Sequence, residues 1–235
     1  LKPFWLKRST STLNSNQGVT NFPMAEQDAY DEGVAYWNQR YLKEPKPADW
    51  IMKPRQMLEV LDRFTSVNKN LKILDAGCGN SLLTEELYDS GCKAIVSIDN
   101  SEVVIDQMGK RNEETRPEIQ WLAMDVFSMD FSDGLFDLMI DKGLLDAILC
   151  QCKDDQRDWM VSTYLKEMLR VMKSTGVFII ITFGHPDSRM SFFEQPTLGL
   201  KVEVIEIPSE NPKIPHCHWA YVCRKAQIDV PSEDV

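Results

Sequence analysis

The segment Leu71-Lys72-Ile73-Leu74-Asp75-Ala76-Gly77-Cys78-Gly79-Asn80-Ser81 constrains the fold more than any other part of the chain. A short apolar run ends at Leu74, two glycines bracket a tight turn, and a helical pattern begins near Ser81. Glycines there let the backbone approach a ligand, and the amides opening the helix favour an anionic or acceptor group. Twenty residues past Gly79, at the end of the next apolar run, stands Asp99, placed to accept both hydroxyls of a ribose. Dinucleotide folds put a third glycine where this chain has Leu82, so a pyrophosphate cradle is disfavoured and a single nucleoside favoured. Met124-Asp125-Val126 closes a third apolar run, where a carboxylate can accept the exocyclic amino group of an adenine.

The pattern around this segment predicts an α/β fold. Short apolar runs at Leu71–Leu74, Ala94–Ile98, Ile119–Met124, Phe136–Ile140 and Val177–Phe183 read as strands. They alternate with helical stretches at Leu82–Tyr88, Glu102–Lys110 and Arg157–Met172, which implies a parallel sheet with helices on both faces. Leu200–Ile207 and Trp219–Cys223 follow with no helix between them, so an antiparallel hairpin closes the sheet. Ahead of the sheet, an aromatic stretch from Gln27 to Leu42 and a helical pattern from Arg55 to Phe64 are separated by Pro45 and Pro47.

The domain is expected over residues 27–225, with a helical lid over 27–66. A flexible leader is expected over 1–26 and an acidic tail over 226–235. The leader carries Lys2, Lys7 and Arg8 before any acid, so a mitochondrial address is the alternative to a cytoplasmic location. A formal charge of −10 disfavours nucleic acid and anionic membranes as partners, and no apolar run is long enough to span a bilayer. Cys150, Cys152, His216, Cys217, His218 and Cys223 offer ligand types for a metal without the usual spacing, so no metal site is expected. His216 and His218 alternate just before a strand, which would put one at the cleft edge.

The order Asp-x-Gly-x-Gly, Asp99, Asp125 resembles class I S-adenosylmethionine-dependent methyltransferases, whose Rossmann-like seven-stranded, mostly parallel sheet also ends in an antiparallel β-hairpin. Four motifs narrow the resemblance: Tyr36-Trp37-Asn38-Gln39-Arg40-Tyr41, Gly77 to Ser81, Ser101-Glu102-Val103-Val104-Ile105, and Asp141-Lys142-Gly143-Leu144-Leu145-Asp146-Ala147. Together they look like the methyltransferase-like branch that includes the lysine methyltransferases of translation elongation factor 1A, with the citrate synthase lysine methyltransferase as a relative.

The resemblance implies S-adenosyl-L-methionine as cofactor and a protein lysine as methyl acceptor, elongation factor 1A being the leading candidate. Small-molecule methyl transfer and a non-catalytic cofactor-binding module stand as alternatives. It further implies that Trp37, Tyr41 and Trp50 close over the cofactor, that Gly77 lines its methionine end, and that Asp75 and Gly79 also belong to the cofactor site. Asp99 and Asn100 would hold the ribose, Asp125 and Val126 the adenine, and Lys142 would lie beside the cofactor. Asp141, Asp146 and His218 are the candidate contacts to the acceptor; no catalytic residue is singled out. Many members of the branch have Thr where this chain has Leu144, and several lack the acid at Asp75.

Overall fold

The computed structural model describes residues 32–65, 70–208 and 218–226. The expected leader and tail, along with His216 and Cys217, lie outside the described residues, apart from residue 226. Seven strands form one sheet in the order β3-β2-β1-β4-β5-β7-β6. They are β1 (Ile73–Ala76), β2 (Ile95–Asp99), β3 (Gln120–Ala123), β4 (Phe136–Lys142), β5 (Met172–Thr182), β6 (Leu200–Ile207) and β7 (His218–Lys225). The first five pair in parallel. β7 runs antiparallel to β5 and to β6, which makes the closing hairpin.

The parallel strands are buried on both faces, as near-continuous apolar runs such as Val177–Ile181 require. Side-chain alternation splits the core in two. Leu74, Val96, Met139 and Phe178 face one layer, while Ile73, Ile95, Leu138 and Ile179 face the other. Helices α5 (Leu144–Gln151), α6 (Arg157–Val171) and α7 (Pro186–Phe193) cover the first. In α6 the residues Val161, Tyr164, Leu165 and Met168 recur at helical spacing and are fully buried. Helices α2 (Pro54–Thr65) and α3 (Leu83–Asp89) cover the second, through Met57, Val60, Leu61, Leu83 and Leu87. Pro54 starts α2 where a missing N–H costs nothing.

A third, smaller cluster joins α1 (Val34–Lys43) to α4 (Glu102–Asn112), with Tyr41 packed among Cys78, Val104 and Met108. β1 lies between β2 and β4, so the connections leave it in opposite directions. In open sheets of this kind ligands bind at the carboxyl ends of the strands at that switch point. There the chain places the loop after β1 and the end of β4. Among the described residues no helix is long and apolar enough to cross a membrane.

Candidate functional site

The loop from Gly77 to Ser81 leaves β1 with both glycines in the left-handed region, Gly77 at φ +66° and Gly79 at φ +52°. Each also lies against a side chain. A Cβ on Gly77 would meet Leu144 at 2.9–3.1 Å, and one on Gly79 would meet the Tyr41 hydroxyl at 2.9 Å. The amide of Cys78 donates to the carbonyl of Ile98 at 3.0 Å, which ties the loop to the end of β2.

Asp99 sits at that end. Its Oδ2 accepts the Gly79 N–H and its Oδ1 the Ser101 N–H, both at 3.0 Å. Each oxygen keeps a lone pair, so the carboxylate is oriented by the backbone and can still accept a pair of hydroxyls. Ser101 caps α4, accepting the Val104 N–H at 3.3 Å and donating to Asn38 of α1 at 2.6 Å. Burial pushes the Asp99 carboxyl up to about 6, against the pull of its two amide donors. Asn100 and Asp125 are exposed beside it. Asp125 Oδ1 accepts the Phe127 N–H at 2.9 Å in a turn that follows β3, and Val126 is buried in the core.

The ionised carboxylate is the form that can accept both ribose hydroxyls, so binding a nucleoside should pull the Asp99 pKa down. Affinity should therefore be full well above pH 6 and decline as pH falls through it, by about tenfold per unit. Calorimetry with S-adenosylhomocysteine between about pH 5 and pH 8 should show this, with proton release near pH 6. A flat profile would remove Asp99 from the binding step.

The segment before the sheet is tied onto this loop. The ring of Trp37 stacks on Tyr41 at 6.0 Å and meets Trp50 edge-on at 6.5 Å. The Arg40 guanidinium lies 4.6 Å from the Trp50 ring centre. Asn80 donates to the carbonyls of Glu44 and Lys46 at 3.2 and 2.7 Å, and the amide of Ala48 donates to the Asn80 carbonyl at 3.3 Å. Asp49 Oδ1 accepts the Ser81 hydroxyl at 2.5 Å and the Leu82 N–H at 3.3 Å, which places a carboxylate at the positive end of α3. Ile51, the next residue but one, has φ +67°, and across it the Met52 N–H donates to the Trp50 carbonyl at 2.7 Å. A β-branched residue avoids that conformation, at a cost of about 1–3 kcal/mol.

Three sequence expectations change here. Asp75 is 2% exposed and accepts the Thr84 hydroxyl at 2.7 Å, so it ties β1 to α3 rather than meeting a ligand. Asp141 is fully buried; it accepts the N–H groups of Leu144 and Leu145 at 2.7 and 2.9 Å and the Tyr164 hydroxyl at 2.7 Å. It therefore starts α5 instead of facing an acceptor, and burial and Asp146 push its carboxyl up to about 7 despite those donors. The Lys142 ammonium, expected beside the cofactor, points to the Trp50 carbonyl at 3.3 Å, with Asp49 at 3.8 Å.

Asp146 is different. Its carboxylate accepts the Thr182 hydroxyl at 2.5 Å, the Phe183 N–H at 3.1 Å and the Arg189 guanidinium at 3.1 Å, and its side chain remains 15% exposed. Gly184 leaves room for that arginine, since a Cβ there would fall 2.1 Å from Arg189 Nε. His218 packs edge-on against Phe183 at 4.8 Å and is 8% exposed. Asp146 lies two residues after Leu144, the side chain that covers Gly77. A fixed, partly open carboxylate thus stands at the end of β5, on the helix whose first residue packs on the glycine loop.

The sequence reading missed Asp49, Ile51 and Arg189. Only Arg189 left a local signal: the His185-Pro186 start of α7, where His185 accepts the Asp187 N–H and Pro186 opens the helix.

This fold with this loop is the architecture of a methyltransferase domain. Residues 67–216 match the family model described as "Methyltransferase domain", more than half of the chain. The chain belongs to that family. It is 33% identical over 185 residues to "EEF1A lysine methyltransferase 4" of Bos taurus, covering 71% of this chain and 67% of the relative. It is also 38% identical over 152 residues to "eEF1A lysine and N-terminal methyltransferase" of the same species, covering 64% of this chain. The match spans only 21% of that longer protein.

Among solved structures, a 1,6-didemethyltoxoflavin-N1-methyltransferase of Burkholderia thailandensis with bound S-adenosylhomocysteine matches at TM-score 0.60 and 16% identity, over 88% of this chain and 92% of its own. The [4+2]-cyclase SpnF matches at TM-score 0.61 and 13% identity, over 84% and 97%. The fold is common to both, so the reaction must be argued from the site. S-adenosylmethionine is the cofactor of the methyltransferase class. The residues present fit it: glycines with no room for side chains, a backbone-oriented ribose acceptor at Asp99, and aromatic rings above the loop.

Proposed function

We propose that the protein transfers methyl groups from S-adenosylmethionine to an amine on a protein substrate, a lysine side chain, with elongation factor 1A as the leading candidate. The observation that carries this reading is Asp146, a partly open carboxylate fixed by three donors on the helix that starts against the cofactor loop. The printed names of both bovine relatives, each an eEF1A lysine methyltransferase, support the same acceptor.

In this reading Asp99, with Asn100, takes the ribose, and Asp125 and Val126 flank the adenine. Gly77 and Gly79 let the backbone close on the methionine end, and Trp37, Tyr41 and Trp50 cover it. The cofactor supplies an already activated methyl group, so the side chains need only bind, orient and exclude water. An incoming lysine arrives as an ammonium. Asp146 is suited to accept one of its N–H bonds through its free lone pair and hold the nitrogen in line for attack. The ring of Phe183, with His218 behind it, gives the aliphatic stem an apolar wall that disfavours the charged amine and assists loss of its proton to solvent.

A net charge of −10 suits a basic protein surface as partner, so transfer should slow as salt rises. Elongation factor 1A as acceptor goes with a cytoplasmic location; citrate synthase would require the leader to act as a mitochondrial address. The test is incubation with each purified protein and with Lys→Arg variants of whichever is methylated. Mass spectrometry should place the methyl groups on one lysine side chain of elongation factor 1A. Methylation of the N-terminal amine alone, or of citrate synthase alone, would replace that assignment.

A further inference from the structure

The DxGxG loop and Asp99 account for ligand binding, but they do not explain why a lysine is buried at the end of β4. The Lys142 side chain is 5% exposed. Burial lowers its pKa, while Asp49, Asp75 and Asp141 around it favour the charged form. Its ammonium donates to the carbonyl of Trp50 at 3.3 Å, and that carbonyl also takes the Met52 N–H at 2.7 Å across Ile51. The turn so formed is the left-handed one at Ile51, φ +67°. Ile51 is also the residue over Gly143, where a Cβ would come within 3.2 Å of its Cδ1. The lysine, the glycine after it and the strained turn therefore form one contact.

That contact stands at a junction. Immediately before the turn, Asp49 holds Ser81 and the Leu82 N–H of the glycine loop, and Lys142 lies 3.8 Å from the same Asp49 oxygen. Trp50 meets Trp37, which stacks on the Tyr41 whose hydroxyl covers Gly79. A strained turn persists only where its surroundings over-determine it. Here the surroundings are a buried cation on the turn carbonyl and an isoleucine wedged over a glycine.

We propose that Lys142 is a positioning residue rather than a cofactor contact: its ammonium latches the Trp50–Met52 turn and thereby seats Asp49 and Trp50 over the cofactor loop. The proposal deepens the cofactor site and rests on the reading that this loop binds S-adenosylmethionine. The latch itself can be observed in the free protein, which separates the two.

The test uses the full chain with Lys142→Met, Ile51→Gly and the double variant. Hydrogen exchange without ligand reports how firmly residues 37–52 are held, and calorimetry reports S-adenosylhomocysteine affinity. Lys142→Met should raise exchange across 37–52 while β4 and β5 stay protected, and should weaken affinity by about tenfold or more. Glycine adopts the left-handed conformation freely, so Ile51→Gly should make the turn less dependent on its latch. The double variant should recover part of the lost affinity, about threefold or better. A direct contact to the cofactor would show no such rescue. Should Lys142→Met not fold, Lys142→Gln removes the charge with a polar side chain kept and should shift both readouts the same way.

Unchanged exchange across 37–52 overturns the latch, whatever happens to affinity. Faster exchange with unchanged affinity overturns its role in seating the cofactor site. If the unaltered protein binds no S-adenosylhomocysteine, the cofactor reading fails, and the exchange data still decide whether Lys142 holds the turn.

Discussion

Asp99→Ala is expected to weaken S-adenosylmethionine binding by about 10- to 150-fold, the equivalent of roughly 1.5 to 3 kcal/mol for hydrogen bonds to a charged group. The geometry makes the carboxylate difficult to replace, because it is held by the amides of Gly79 and Ser101 and offers its remaining lone pairs outward. Asp99→Asn should fare little better, since its NH₂ group must face one of those amides, donor against donor. Stability should behave differently from binding. The folded-state pKa of about 6 lies above the ordinary carboxylate value, so the folded protein holds the Asp99 proton more tightly than the unfolded chain does. The stabilising contribution is thus present at low pH and lost as pH rises through about 6, and at neutral pH the ionised group is a burden on the fold. A neutral replacement should therefore cost much affinity and little melting temperature. Unchanged affinity in a folded variant would take Asp99 out of the site.

Removal of residues 1 to 50 should weaken cofactor binding by at least about 100-fold, on the order of 3 kcal/mol, while the sheet still forms. The cut takes away Tyr41 from over Gly79, Asp49 from Ser81 and Leu82, and the Trp50 carbonyl from Lys142. The two main core layers are built from α2, α3, α5, α6 and α7 and keep their contacts. Circular dichroism should show a cooperative melt for the shortened chain, and calorimetry should show no measurable heat with S-adenosylhomocysteine. Normal binding by this chain would reduce Trp37, Tyr41 and Trp50 to packing residues.

Much of this architecture was legible in the sequence because it is written locally. All seven strands were visible as short apolar runs, and two runs in succession with no helical pattern in the sequence between them announced the hairpin. Boundaries moved where the turn chemistry extends a strand: β1 continues to Ala76 rather than ending at Leu74, and β5 begins at Met172, where a helix was expected to end. Helix α5 escaped notice because Leu144–Gln151 is apolar on nearly every side and has no capping side chain at its N-cap; its start is held by Asp141 from the strand before it. Asp99 could be found because strand end, glycine turn and a fixed interval coincide.

The pairings that build the rest of the site join residues far apart in the chain. Asp49 and Ser81 are 32 residues apart, Trp50 and Lys142 are 92, and Asp146 and Arg189 are 43. No periodicity records such contacts. Asp75 and Asp141 show the converse: an acid in a motif at a strand end suggests chemistry, yet both carboxylates are buried, Asp141 on three donors and Asp75 on the Thr84 hydroxyl.

Methyl transfer from S-adenosylmethionine to a protein lysine is tested most directly by giving the purified protein labelled cofactor in a cell extract and separating the products. The expected result is label in a protein band of the size of elongation factor 1A, stable to nuclease and recovered as methylated lysine after hydrolysis, and absent with Asp99→Ala. Label confined to a small-molecule or nucleic-acid fraction, or no label beyond that of the Asp99→Ala control, would contradict it.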